Sequence, residues 1–142
     1  MSTEQNKQIV QRALDELWNK GNLAAADELY AASYIGHNPA SPQPLQGAQG
    51  IQQFVGMFRT AFSNIQTIVE DQMAEGDKVV TRWQTSAVHT GDLMGIPASG
   101  KPGVVTGISI NQVVAGRIVA EWTNWDQLGM LQQIGVIPTP GQ

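Results

Sequence analysis

GRIVAEWTNWDQLGM, residues 116–130, reads as a strand that runs directly into a helix. It holds two Trp, two carboxylates and an Asn within one short span. A purely structural strand has no need of that mixture, whereas a strand lining a pocket does. The preceding run, 104–113, alternates in the same way, so the two form a hairpin whose turn decides which side chains share a face. A two-residue loop at Ala115-Gly116 would put Ser109 with Trp122. A three-residue loop ending on a left-handed Gly116 puts Ser109 with Glu121. The shorter loop wants residues tolerant of positive φ at both places, and Ala115 is poor there. The longer, bulged turn is therefore expected.

One face of the hairpin then carries Val105, Gly107, Ser109, Asn111, Val119, Glu121, Thr123 and Trp125. It is small and polar with an aromatic end, as a pocket wall would be. The other carries Ile108, Ile110, Ile118, Ala120, Trp122 and Asn124. That face is too apolar to meet water across a sheet. It is expected to pack on a second copy of the chain as a homodimer.

Upstream, the period is helical. Ile9, Val10, Ala13, Leu14, Leu17 and Trp18 recur at helix spacing across 3–20. Ser2 and Gln5 fit a capping box, and Gly21 is a natural stop. Asn22 is expected to cap a short helix over 23–30 that buries Leu23, Ala26 and Tyr30. The segment SYIGHNPASPQPL (33–45) is Pro-rich and reads as irregular. A third helix, 48–62, places Ile51, Phe54, Val55, Phe58 and Phe62 on one stripe. From Ile65 the period becomes two, with Thr67, Val69, Asp71 and Met73 on the same face. Gly76-Asp77 turns into a long strand, 78–89, with Val79, Thr81, Trp83, Thr85 and Ala87 on one side. A loop, TGDLMGIPASGKPG (90–103), separates it from the hairpin.

Helices first and a strand meander afterwards predict an α+β fold. N-terminal helices cover a curved antiparallel sheet and leave a cone-shaped cavity between them. At 142 residues one domain is expected over 1–142, with enough burial for a core. The net charge of −4, from 8 basic and 12 acidic residues, argues against nucleic acid or an anionic membrane as partner. No Cys is present, which removes thiolate nucleophiles and thiolate metal sites. No apolar run approaches ~20 residues, and MSTEQNKQ has no signal-peptide core, so a cytoplasmic protein is expected.

EGDKVVTRW (75–83), HTGDLMGIPASGK (89–101) and GRIVAEWTNWDQLGMLQQIG (116–135) together resemble the SnoaL-like polyketide cyclase and predicted ester cyclase family, within the nuclear transport factor 2-like superfamily. ELWNKGNLAAADELYAASYIGHNP (16–39) fits the same pattern. The resemblance implies a cone-shaped α+β fold, often dimeric, with a deep apolar pocket and neither metal nor cofactor. It also implies ring closure by an intramolecular aldol reaction, using an Asp on the last strand with a Gln and a His on the strand before. Those three positions correspond to Thr123, Gly107 and Ser109 here, and the family's Asn after the second helix falls near Gly36. None of the family's residue types stands at these places.

What the residues offer instead is Glu121, a carboxylate on the expected pocket face. Burial in an apolar cone would raise its pKa and suit it to acid/base work; an ion pair with Arg82 or Arg117 is the plainer reading. Asp126 is either a second carboxylate at the cone's edge or the cap of the last helix. His89 is either an acid/base at the pocket mouth or a brace for the glycine loop, and His37 either part of a lid or an exposed loop residue. Asp71 is a further candidate pocket carboxylate. Tyr34, Trp83, Trp125, Phe54 and Phe58 would supply apolar walls, with Ser109, Asn111 and Thr123 orienting a substrate oxygen. The two His have no acidic partner at ligand spacing, so no metal is expected. No phosphate or dinucleotide fingerprint appears, so no cofactor is expected.

Three functions fit. One is a cofactor-independent cyclase, isomerase or hydrolase that moves protons on a small, apolar, carbonyl-bearing molecule. Another is a non-catalytic carrier of a small hydrophobic ligand. The third is a dimerisation module with a vestigial pocket.

Overall fold

The computed structural model describes residues 2–141. Ser2 opens α1 (Thr3–Ala13) with the expected reciprocal cap: its Oγ accepts from the Gln5 N–H at 3.1 Å, and Gln5 Oε1 accepts from the Ser2 N–H at 2.9 Å. The helix widens into a π-helical turn, Leu14–Asn19, and stops at Gly21, whose φ is +71°. Asn19 anchors this end. Its amide pairs with both backbone groups of Thr67, donating at 3.0 Å and accepting at 2.6 Å.

The expected Asn22 cap is not made. Asn22 donates its side-chain amide to Glu16 Oε2 at 3.0 Å, and only a 3₁₀ turn (Leu23–Ala25) and a single helical turn, α2 (Ala26–Leu29), follow. Tyr30, expected inside that helix, begins a strand. This is β1 (Tyr30–His37), a second departure from the sequence reading, which left the region irregular. Ala31, Ala32, Ser33 and Gly36 are weak strand formers; the strand exists because β6 (Arg117–Trp125) lies beside it in parallel, pairing Gly36 with Glu121 and His37 with Trp122.

A short β2 (Leu45–Gln46) leads into α3 (Gly47–Ala61), which buries Ile51, Phe54, Val55 and Phe58. Then come β3 (Phe62–Glu75), β4 (Lys78–His89), β5 (Pro102–Val114), β6 (Arg117–Trp125) and α4 (Gln127–Gln133). The sheet runs β2-β1-β6-β5-β4-β3, with helices against its inner face. The α+β cone is the observed architecture. Among the described residues no helix is long and apolar enough to cross a membrane.

Two bulges redirect side chains. In β3, Glu70 is an extra residue between the pairs Val69–Trp83 and Asp71–Arg82. Beyond it the inward set becomes Gln72 and Ala74, so Asp71 is exposed and the expectation of a pocket carboxylate there is corrected. In β6, Val119 is extra between the pairs Val113–Ile118 and Gln112–Ala120. The β5–β6 turn is the two-residue one after all: Val114 pairs with Arg117, and Ala115 and Gly116 take φ of +51° and +81°. That turn alone would have inverted the face. The bulge restores it, giving Ser109–Thr123 and Asn111–Glu121 as direct pairs. Ile118, on the turn side of the bulge, points inward and is fully buried rather than lying on the outer face.

Candidate active site

The cavity lies between two halves of the core. One half packs α1, α2 and the turn end of the sheet (Val10, Ala13, Leu17, Val79, Val113, Ile118). The other is aromatic, with Phe54, Phe58, Phe62 and Ile65 meeting Met130 of α4 and Ile134 just after it. Between them remains a cavity of about 130 Å³. Glu121 of β6 is the one carboxylate among its described wall residues.

Glu121 accepts hydrogen bonds from two hydroxyls. Tyr34 Oη donates to Oε1 at 2.8 Å, and Thr123 Oγ1 donates to Oε2 at 3.3 Å. Tyr34 reaches it because Gly36 has no side chain; a Cβ there would collide with the phenol oxygen. The Thr123 hydroxyl belongs to a longer chain. Trp83 Nε1 donates to Ser109 Oγ at 3.0 Å, and Ser109 Oγ lies 2.9 Å from Thr123 Oγ1. Indole N–H is donor only, and the Thr123 proton is given to Glu121, so the Ser109 proton goes to Thr123. The polarity of the chain is thereby set, from Trp83 to the carboxylate. Ser109, Asn111 and Thr123 are all buried.

Burial raises the Glu121 pKa, and hydrogen bonds from Tyr34, Thr123 and Asn111 pull against it without cancelling it. Burial likewise raises the Tyr34 phenol, and the nearby Glu121 charge adds to it, so Tyr34 remains a neutral donor. Each carboxylate oxygen keeps a second lone pair beyond its donor. A group of this kind can take a proton from a bound molecule and return it.

Of the residues singled out in the sequence, Glu121, Tyr34, Trp83, Ser109, Asn111, Thr123, Trp125, Phe54 and Phe58 all line this one cavity. Of the three other expected acid/base groups, only His37 reaches the wall. Asp126 is exposed and caps α4, its Oδ1 accepting from the Gly129 N–H at 2.9 Å. His89 is buried outside the cavity wall. Its Nδ1 accepts from the Ser99 N–H at 3.2 Å and lies 3.0 Å from Ser99 Oγ, so it braces the glycine loop. His37 lines the cavity but stacks its ring on outward-facing Trp122, 6.1 Å away, because it alternates with inward-facing Gly36. Neither imidazole hydrogen-bonds Glu121, whose direct partners include the Tyr34 and Thr123 hydroxyls.

Several wall residues escaped the sequence reading. Asn38 accepts from Trp125 Nε1 at 3.0 Å and from the Ala40 N–H at 3.0 Å, fastening the 38–44 loop to the end of β6. Trp18 packs edge-on against Phe54 at 6.4 Å. Thr67 and Thr85 share a hydrogen bond of 2.7 Å across β3 and β4. The two Thr stand at alternating positions and were legible as a face; Asn38 carried no local signal. Among the described residues no group of three or more His, Cys, Asp and Glu is placed to hold a metal.

Residues 8–134 match the family model described as SnoaL-like polyketide cyclase. Solved structures share the fold. TsrD from Streptomyces laurentii is 26% identical, with a TM-score of 0.85 over 96% of this chain and 99% of its own. A candidate polyketide cyclase from Acidithiobacillus ferrooxidans is 29% identical, with a TM-score of 0.80 over 94% of this chain and 97% of its own. IdmH, a candidate polyketide cyclase from Streptomyces antibioticus, is 29% identical, with a TM-score of 0.78 over 92% and 99%. No curated protein sequence matches the chain significantly.

Proposed function

This chain belongs to the SnoaL-like polyketide cyclase family, and from that premise we propose that it is a cofactor-independent acid/base enzyme acting on a small, apolar, carbonyl-bearing molecule. Glu121 removes a proton from the carbon next to the carbonyl. The Asn111 amide, with two N–H donors, steadies the oxygen on which charge develops, since the Ser109 and Thr123 protons are committed to the chain that ends on Glu121. The proton then returns to the same or another carbon, or the carbanion closes on a second carbonyl within the molecule and the alkoxide so formed takes the proton back from Glu121. The second outcome is the cyclase version, and the candidate cyclases among its structural relatives favour it.

The observation that carries this reading is a single carboxylate with a raised pKa, held by hydroxyl donors on an otherwise apolar wall. Desolvation brings such a group toward the working pH, where a general base is most effective. The test is deuterium exchange next to the carbonyl of a small ketone, followed by NMR. The wild-type protein should accelerate exchange, and Glu121→Gln should lower the rate at least about 100-fold, the ordinary range for losing a general base. Equal rates in the two proteins would overturn the assignment. A carrier remains the second reading, favoured by the fact that both Glu121 oxygens already have donors; it requires ligand binding to survive Glu121→Gln with no exchange in either protein.

The proposal includes a homodimer through the outer sheet face. It is supported by the exposure of Ile108 at 50%, Ile110 at 37% and Trp122 at 42%, neighbours on that face.

A further inference from the structure

Trp83 sits where the sheet has cleared space for it. Its partner across β4 and β5 is Gly107. A Cβ on Gly107 would lie 2.7 Å from Trp83 Cη2 and 2.8 Å from Trp125 Cβ, far inside the separation at which carbon atoms attract. The missing side chain lets the six-membered ring of the indole enter that strand position. The hydrogen bond from Nε1 to Ser109, at 3.0 Å, pins the same edge of the ring, since Nε1 is bonded to the carbon next to Cζ2. Trp83 is therefore a rigid wall, held along that edge by packing and by a directional bond.

What the ring leaves open is small. The cavity is about 130 Å³, against roughly 150 Å³ for a closed apolar cavity that takes a benzene molecule, so one ring is the upper limit of what it encloses. We infer that Trp83, laid over Gly107, is the specificity-determining residue of this site, and that it restricts the substrate to a single-ring ketone and excludes fused-ring polyketides. This rests on the reading that the Glu121 cavity is the substrate site. Indole is itself a fused bicycle, so its removal vacates room for a second ring beside the first. The direct hydrogen bonds of Glu121, from Tyr34 and Thr123, do not involve Trp83, which reaches that chain only through Ser109.

The experiment is calorimetric titration of the full chain with acetophenone, which has one ring, and acetonaphthone, which has two. Wild-type protein should bind acetophenone at least tenfold more tightly than acetonaphthone. Trp83→Leu should shift that ratio at least tenfold toward the larger ketone. Trp83→Phe, a milder loss of volume that keeps an aromatic wall, should shift it in the same direction and serves if the Leu variant fails to fold. Failure of acetophenone to bind, equal binding of both ketones by the wild type, or an unchanged ratio in the folded variants would overturn the inference. The proton chemistry is read separately. Exchange without a size ratio defeats the role of Trp83 and leaves that of Glu121 standing; a size ratio without exchange does the reverse.

Discussion

The inner and outer faces of the β5–β6 hairpin are made by alternate residues of the same two strands, and their chemistry is inverted. Ser109, Asn111, Glu121 and Thr123 face the interior, while Ile108, Ile110 and Trp122 face out. In most one-sided sheets the apolar residues go in and the polar ones out. Inside, the polar groups are tolerated because nearly every proton has an acceptor: Trp83 to Ser109, Ser109 to Thr123, Thr123 and Tyr34 to Glu121. Outside, the apolar residues have only each other and His37. The interior is thus complete as a hydrogen-bond network and the exterior is incomplete as a packing surface. A buried network points to chemistry with a bound molecule, and an exposed apolar patch points to a partner.

The sharpest way to break the inner face is Thr123→Val, which keeps the shape and removes the middle hydroxyl. Ser109 loses its acceptor and Glu121 Oε2 its donor. The cost in urea unfolding should be about 1–3 kcal/mol, the range for stranding buried polar groups. The pH for half-maximal exchange should also rise, since a donor favouring the charged carboxylate is gone. A cost under about 0.5 kcal/mol would mean that water replaces the hydroxyl with ease.

Glu121 itself gives a pH test. Its folded pKa lies above the ordinary carboxylate value of 4.5. The folded state therefore binds a proton more tightly than the unfolded one, and stability falls as pH rises from about 4.5 through the folded value. Thermal unfolding across pH 4–8 should show this decline in the wild type and a smaller one in Glu121→Gln, which cannot ionise. Parallel curves would place the carboxylate in contact with bulk water.

Ala115→Gly is a smaller change at the tip of the same hairpin. Ala115 holds a φ of +51°, a conformation that costs an L-residue of its kind about 1 kcal/mol and glycine little. Part of that gain is lost to glycine's extra freedom when unfolded, so stability should rise by roughly 0.5 kcal/mol in chemical denaturation. A loss would indicate that the Ala115 methyl group is packed.

The outer face should respond least in stability and most in assembly. Ile110→Lys replaces an exposed side chain, so the unfolding free energy of the monomer should stay within about 0.5 kcal/mol. Sedimentation velocity should show the wild type as a dimer and the variant as a monomer. A monomeric wild type would remove the homodimer from the proposed function.

Much of the site was readable in advance. Period-two spacing placed Thr81, Trp83 and Thr85 together on β4, and Ser109 and Asn111 together on β5. The parity of Glu121 also came out right, through a turn that does not form. The expected three-residue loop is replaced by a two-residue loop plus a bulge at Val119, and each adds one residue to the register. Asp71 and Ile118 show what that costs: both lie beyond a bulge, and both face the opposite way from their alternation. His37, His89 and Asp126 were titratable groups near the pocket in sequence, but a neighbouring backbone group or ring claimed each of them.

The amino-acid sequence alone determined the succession of helices and strands outside residues 23–46, and the polar inner face of the hairpin, because these depend on periodicities within one element. Only the tertiary structure decided that residues 30–37 form a strand, that Tyr34 meets Glu121, and that Trp83 lies over Gly107. Those outcomes depend on segments far apart in the chain, on a parallel pairing that leaves no local period, and on bulges whose position is set by the closure of the whole sheet.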